Sequence, residues 1–117
     1  NHHYFSFFFP QKYKSAIGKF KSLINKKSDN YTQADIYNYL GYTHRKLKEY
    51  DAAETYYLKA LKLDSDHLGA LEYMGELYLE TNRIEEAKKS LQKIKSVAGE
   101  SSDEYLELSF LINNYSQ

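Results

Sequence analysis

ADIYNYLGYTHRKLKEYDAAETYYLKALKLDSDH, residues 34–67, is the stretch whose reading decides the fold. It has the pattern of one helical hairpin. A shift of 34 residues brings the same pattern back: Tyr37 becomes Leu71, Leu40 becomes Met74, Gly41 becomes Gly75 and His44 becomes Tyr78. In the second half of the unit Ala53 becomes Ala87, Tyr57 becomes Leu91 and Ala60 becomes Ile94. A fixed period of this length marks a chain of stacked repeats, each of which buries its apolar face only against a neighbour.

Small residues stand at Gly41, Ala53, Gly75 and Ala87, with large ones around them. Two helices that cross closely need that alternation, because backbones approach only where side-chain bulk is missing. The spacing Tyr37-x2-Leu40-Gly41-x2-His44, then Ala53-x3-Tyr57, and its second copy Leu71-x2-Met74-Gly75-x2-Tyr78, then Ala87-x3-Leu91, resembles the tetratricopeptide repeat family. Ser65 and Gly99 stand where that family closes a repeat with proline, and Tyr37 and Leu71 where it opens one with tryptophan. The resemblance implies an all-α fold of antiparallel helix hairpins stacked in a right-handed solenoid, with about six helices. Partial copies extend it. Tyr13, Ala16, Phe20 and Leu23 match Tyr50, Ala53, Tyr57 and Ala60 at an offset of 37, and Tyr105, Leu108, Ser109 and Ile112 match Leu71, Met74, Gly75 and Tyr78. The expected organisation is an aromatic segment (1–11), a partial repeat (12–33), two repeats (34–67 and 68–101) and a closing helix (102–117).

Helix boundaries follow from local chemistry. Apolar residues recurring three and four apart predict a helix over 12–27 with lysines on its other face. Thr32 with Asp35 marks the next start, and that helix runs to about residue 47. Asp51 with Glu54 suggests a box-like start for a helix to about 63. Asp64-Ser65-Asp66 breaks the pattern, and a third helix is expected over 67–81 with Asn82 as a left-handed stop. A fourth is expected over 84–98, ended by Gly99. Ser101 with Glu104 suggests a capping box for a last helix over 102–114.

Residues 1–10, NHHYFSFFFP, stand apart. Three readings compete: a remnant of a signal or tag, an irregular cap over the first helix, or an extended segment that docks in a groove. So many aromatics left exposed favour aggregation, so a cover over residues 7–9 is expected. The first residue is Asn rather than Met, as expected of a fragment or a processed chain.

Composition excludes several chemistries. The 117 residues hold 42% hydrophobic and 27% charged residues, enough for one domain with a core and a solvated surface. With no cysteine there is no disulfide, thiolate nucleophile or cysteine zinc site. No apolar run approaches the ~20 residues of a membrane-spanning helix. Thirteen tyrosines suit half-buried helix faces and contact surfaces. The net charge of zero hides a division: residues 1–50 carry nine Lys/Arg against three Asp/Glu, and residues 51–117 carry seven against thirteen.

Candidate sites are few. His2 and His3 fit a tag remnant, His44 sits at the aromatic position of the repeat, and His67 lies at a helix start. Asp64-Ser65-Asp66 is followed by Leu68 and Gly69 where a calcium loop needs oxygen ligands. Glu72, Glu76 and Glu80 stack at i, i+4 and i+8 on an open helix face, which offers no shaped pocket for acid–base work. The lysines of 12–27 are more simply a solvated face than a nucleic-acid site. The sequons at Asn30 and Asn114 are explained by chance. No catalysis, cofactor, metal or nucleic-acid partner is expected, and neither a cytoplasmic nor an exported setting is favoured.

The family resemblance implies a concave ligand groove on the inner face, lined by first-helix residues, with tyrosines flanked by a small basic edge and a larger acidic wall. In this chain these are Asp35, Asn38, Tyr39, Tyr42, Arg45 and Lys46, then Gly69, Glu72, Tyr73, Glu76, Leu79 and Glu80. Some family members clamp a C-terminal carboxylate with Lys and Asn at positions that hold Asn38 and Tyr42, then Glu72 and Glu76, here, which disfavours that ligand. The contact residues expected are Asn38, Tyr39, Tyr42, Arg45, Lys46, Glu72, Tyr73, Glu76 and Glu80. Their partner is a protein or peptide segment with aromatic or apolar anchors and some Lys or Arg. The alternative is a self-assembling unit in which basic and acidic halves, or the aromatic segment, hold copies together.

Overall fold

The computed structural model describes residues 2–115, and side-chain surroundings from Pro10 onward. It contains six helices among them: α1 (His2–Lys21), α2 (Gln33–Lys46), α3 (Tyr50–Leu63), α4 (Leu68–Glu80), α5 (Ile84–Ala98) and α6 (Asp103–Asn113). No strand occurs among the described residues. The helices fall into two compact units, Asn1–Leu63 with α1 to α3 and Asp64–Gln117 with α4 to α6.

In the first unit, α2 opens on the capping box expected at Thr32. Its Oγ1 accepts the Asp35 N–H at 3.1 Å, and the Asp35 carboxylate accepts the Thr32 N–H at 2.9 Å. The helix ends where Lys48 takes a left-handed φ of 61°, with its N–H bonded to the Arg45 carbonyl at 2.8 Å and the Glu49 N–H to the His44 carbonyl at 2.9 Å. The three-residue connection returns the chain as α3, antiparallel to α2. The Ala53 N–H bonds to the Glu49 carbonyl, so α3 opens at Tyr50, and Asp51 lies inside the first turn rather than at the cap. Ile36, Leu40, Ala53, Tyr57 and Ala60 are buried together. Gly41 lets the two backbones meet: a Cβ there would stand 2.6 Å from the Tyr57 ring.

The helix α1 differs from the expectation at both ends. It starts upstream of 12 and runs through Pro10, whose fixed φ is compatible with helix although its missing N–H removes one backbone bond. The backbone of 2–9 is therefore helical, not extended or irregular, while any cover over residues 7–9 lies outside the described side chains. The helix stops at Lys21 instead of continuing to 27. Tight turns follow, and Asn25 adopts a left-handed φ of 67°. Gln33 of α2 reaches back to these turns. Its Nε2 donates to the carbonyls of Leu23 and Lys26, and its Oε1 accepts the Asn25 N–H at 2.8 Å. A side chain seven to ten residues away thus holds the turns that follow the helix.

In the second unit, His67 is the N-cap of α4 rather than its first residue; its Nδ1 accepts the Ala70 N–H at 3.0 Å. Asn82 has the expected left-handed conformation, φ 61°, and Gly99 ends α5 with φ 86°. The cap of α6 is Ser102, not Ser101: its Oγ accepts the Tyr105 N–H at 3.2 Å. Leu71, Met74, Leu77, Ala87, Ile94 and Leu108 are buried. Gly75 admits α6 across α4, because a Cβ there would stand 2.5 Å from Leu108.

The 34-residue period is present in the backbone itself. Lys48 and Asn82, both left-handed, are one period apart. So are the turn bonds from Glu49 to His44 and from Arg83 to Tyr78.

Candidate functional site

The expected contact residues divide by burial. On α2, Tyr39 is 46% exposed, and its ring stacks on Phe20 of α1 at 5.3 Å and 16°. Tyr42 is half-buried, set edge-on to Tyr13 of α1 at 6.3 Å. The exposed Lys46 holds its ammonium 5.3 Å above the Tyr42 ring. These three form an aromatic and basic face backed by α1. Tyr13 and Phe20 were not among the expected contact residues; their helical spacing marks them only as apolar.

Asn38 and Arg45 do not belong to that open face. Asn38 is 4% exposed and Arg45 5%. The Arg45 Nε donates to the Tyr57 hydroxyl at 3.3 Å, and its guanidinium lies 5.6 Å from the Tyr42 ring. It ties α2 to α3 inside the unit. Helix register puts both residues near Tyr42 on the wheel, but it cannot say that a long side chain folds inward. Asn38 Oδ1 is buried and finds no hydrogen-bond partner among the described residues.

On α4, Glu72, Tyr73 and Glu76 are half-buried and Glu80 is exposed, while Leu79 joins the buried set. Glu72 and Glu76 share a side-chain hydrogen bond, which requires a proton on one of them. Burial, then Glu76, and then the charges of Glu107 and Glu104 on α6 push the Glu72 carboxyl up to about 9. The acidic face of this unit therefore belongs to two helices, not one.

Elsewhere in the first unit, His44 stacks on Tyr56 at 5.2 Å, and Tyr56 on Tyr37 at 6.1 Å. His44 Nδ1 donates to the Glu49 carboxylate at 2.8 Å. The residue is a packed partner of the α2–α3 turn. A cavity of about 260 Å³ is lined by Asn25, Gln33, Tyr37, Lys59, Lys62 and Leu63, without a nucleophile–base pair. Among the described residues no group of three or more His, Asp or Glu could hold a metal ion, and no helix is long and apolar enough to cross a membrane.

Two tetratricopeptide repeat family models match, one over residues 34–67 and one over residues 70–101. The chain belongs to the tetratricopeptide repeat family. This tetratricopeptide repeat chain is similar to the uncharacterized protein ycf37 of Guillardia theta, 35% identical over 78 residues that cover 65% of this chain and 44% of that protein. The ycf37 of Porphyra purpurea is 26% identical over 80 residues, covering 68% of this chain and 46% of that one. A human protein named protein O-mannosyl-transferase TMTC2 is 30% identical over 81 residues, covering 69% of this chain and 10% of the larger protein. The chain thus spans less than half the length of these curated relatives. Tetratricopeptide repeats are protein–protein interaction modules and generally non-catalytic.

Proposed function

We propose that this chain binds a peptide or protein segment through the tyrosine-lined, acidic-walled groove of its first-helix positions and carries out no chemistry of its own. Tyr39, Tyr42 and Lys46 offer aromatic contact and a cation on one unit; Glu72, Tyr73, Glu76 and Glu80 offer an acidic face on the other. The observation that carries this reading is Tyr39, a large aromatic held in one orientation by Phe20 while nearly half its surface stays open. A preorganised ring of this kind contributes contact area at little entropic cost. The partner it suits presents apolar or aromatic anchors together with Lys or Arg.

The test is selection of binding peptides from a random displayed library, followed by titration against a Tyr42→Ala/Glu76→Lys double variant. The expected result is an unchanged fold by circular dichroism and a loss of affinity of about tenfold or more. Full affinity in a well-folded double variant overturns the assignment of these faces.

The self-assembling alternative is supported by the charge division between residues 1–50 and 51–117. Copies held by that division dissociate as salt rises, because exposed charges are screened.

A further inference from the structure

Carried one more period, the pattern places Leu106 and Phe110 of α6 at the positions held by Glu72 and Glu76 in α4. These two are among the most exposed large apolar side chains of the described residues, Leu106 at 55% and Phe110 at 61%. They stand four residues apart on one face of α6, opposite the fully buried Leu108 that docks the helix on α4. Asp103 and Glu107, both exposed, lie on the same outer side. The charges of Glu104 and Glu107 are also felt by Glu72 of α4. The apolar pair is therefore accompanied on its own helix by carboxylates, and no Lys or Arg occurs in α4 or α6.

We infer that this face of α6 is the anchor site of the second unit, and that it takes a peptide segment in which large apolar side chains are flanked by lysine or arginine. The inference rests on the interaction-module reading above and adds the residues that hold the anchor and the chemical class of the ligand. Charge complementarity selects the occupant. Asp103 and Glu107 attract a cation placed beside the apolar pair. An acidic segment meets the opposite, with like charges next to the apolar patch.

The experiment titrates the chain with three fluorescein-labelled helical peptides. The first carries Leu and Phe four residues apart with Lys and Arg beside them. The second replaces the basic residues with Glu, and the third replaces Leu and Phe with Ser. The expected result is binding of the first alone, weakened about tenfold or more by Leu106→Ser/Phe110→Ser. Leu58→Ser, an equally exposed apolar site on α3, leaves it unchanged. Equal affinity in the Leu106→Ser/Phe110→Ser chain overturns the inference, and so does equal binding of the acidic peptide or no binding of any. If Tyr42→Ala/Glu76→Lys abolishes binding while Leu106→Ser/Phe110→Ser does not, the interaction module stands and the α6 anchor falls. If the unaltered chain is a dimer that Leu106→Ser/Phe110→Ser makes monomeric, the occupant is a second copy, and the peptide assignment is overturned.

Discussion

Gly41 and Gly18 show how one residue type carries opposite consequences in this chain. A Cβ at Gly41 meets the Tyr57 ring at 2.6 Å, whereas at Gly18 it meets nothing within 4 Å. Gly41→Ala is expected to destabilise by about 1–3 kcal/mol through overpacking. Gly18→Ala, inside α1, is expected to stabilise by about 0.5–1 kcal/mol through helix propensity. Urea melts of the two variants check both signs. Glu72 gives a prediction with a pH signature. Its carboxyl lies near 4.5 when unfolded and is raised to about 9 in the folded chain, so the native state binds more protons across that window. Stability is fully present below 4.5 and falls as pH climbs toward 9. Glu72→Gln removes the titration. The variant should gain on the parent progressively from pH 5 to pH 9 in urea melts, and the gain should stop changing below pH 4.

At the scale of the element, the helix ends are where local chemistry decides most. Lys48 pays a left-handed conformation that a branched or bulky Cβ disfavours, and Asn82 occupies the same place one period later. Lys48→Gly should stabilise by about 1 kcal/mol and Asn82→Gly by less, since Asn tolerates this region better; thermal melts of the two variants give the comparison. The turns also show one task done by two chemistries. His44 reaches Glu49 through a 2.8 Å hydrogen bond, while Arg83 lies 4.7 Å over the ring of Tyr78 at the equivalent positions. Both link the last turn of a first helix to the start of its partner. The start at Thr32 was legible, because its hydroxyl and the Asp35 carboxylate can each reach back. His67 was expected as the first residue of its helix and Ser101 as a cap, whereas His67 and Ser102 are the caps, because only the direction of the incoming chain decides which side chain reaches a free N–H. The end of α1 was hidden for a different reason. Its periodicity continues to Ile24, and the turns that replace the last expected helical residues are held by Gln33, a residue of the next helix.

For the molecule as a whole, charge is the property that reaches beyond any element. The basic 1–50 and acidic 51–117 stretches offer two routes to association, with a partner or with another copy. Light scattering on a sizing column, at low and high salt, is expected to return the monomer mass throughout. A larger species that dissolves with salt would favour self-assembly instead. The repeat itself was determined by sequence alone: a 34-residue period of small and large residues has few ways to bury its apolar faces, and antiparallel helix pairs are the one that fits. The aromatic and acidic character of the faces followed from the same register, since residues three and four apart share a side of a helix. Tertiary structure decided which of those residues remain available. Asn38 and Arg45 share the register of Tyr42, yet they are buried, because burial depends on what packs against a face and on where a long side chain folds. Leu106 and Phe110 were not among the expected contact residues. Only the docking of Leu108 against Gly75 determines which side of α6 is spent on the core, and that contact joins positions 33 residues apart.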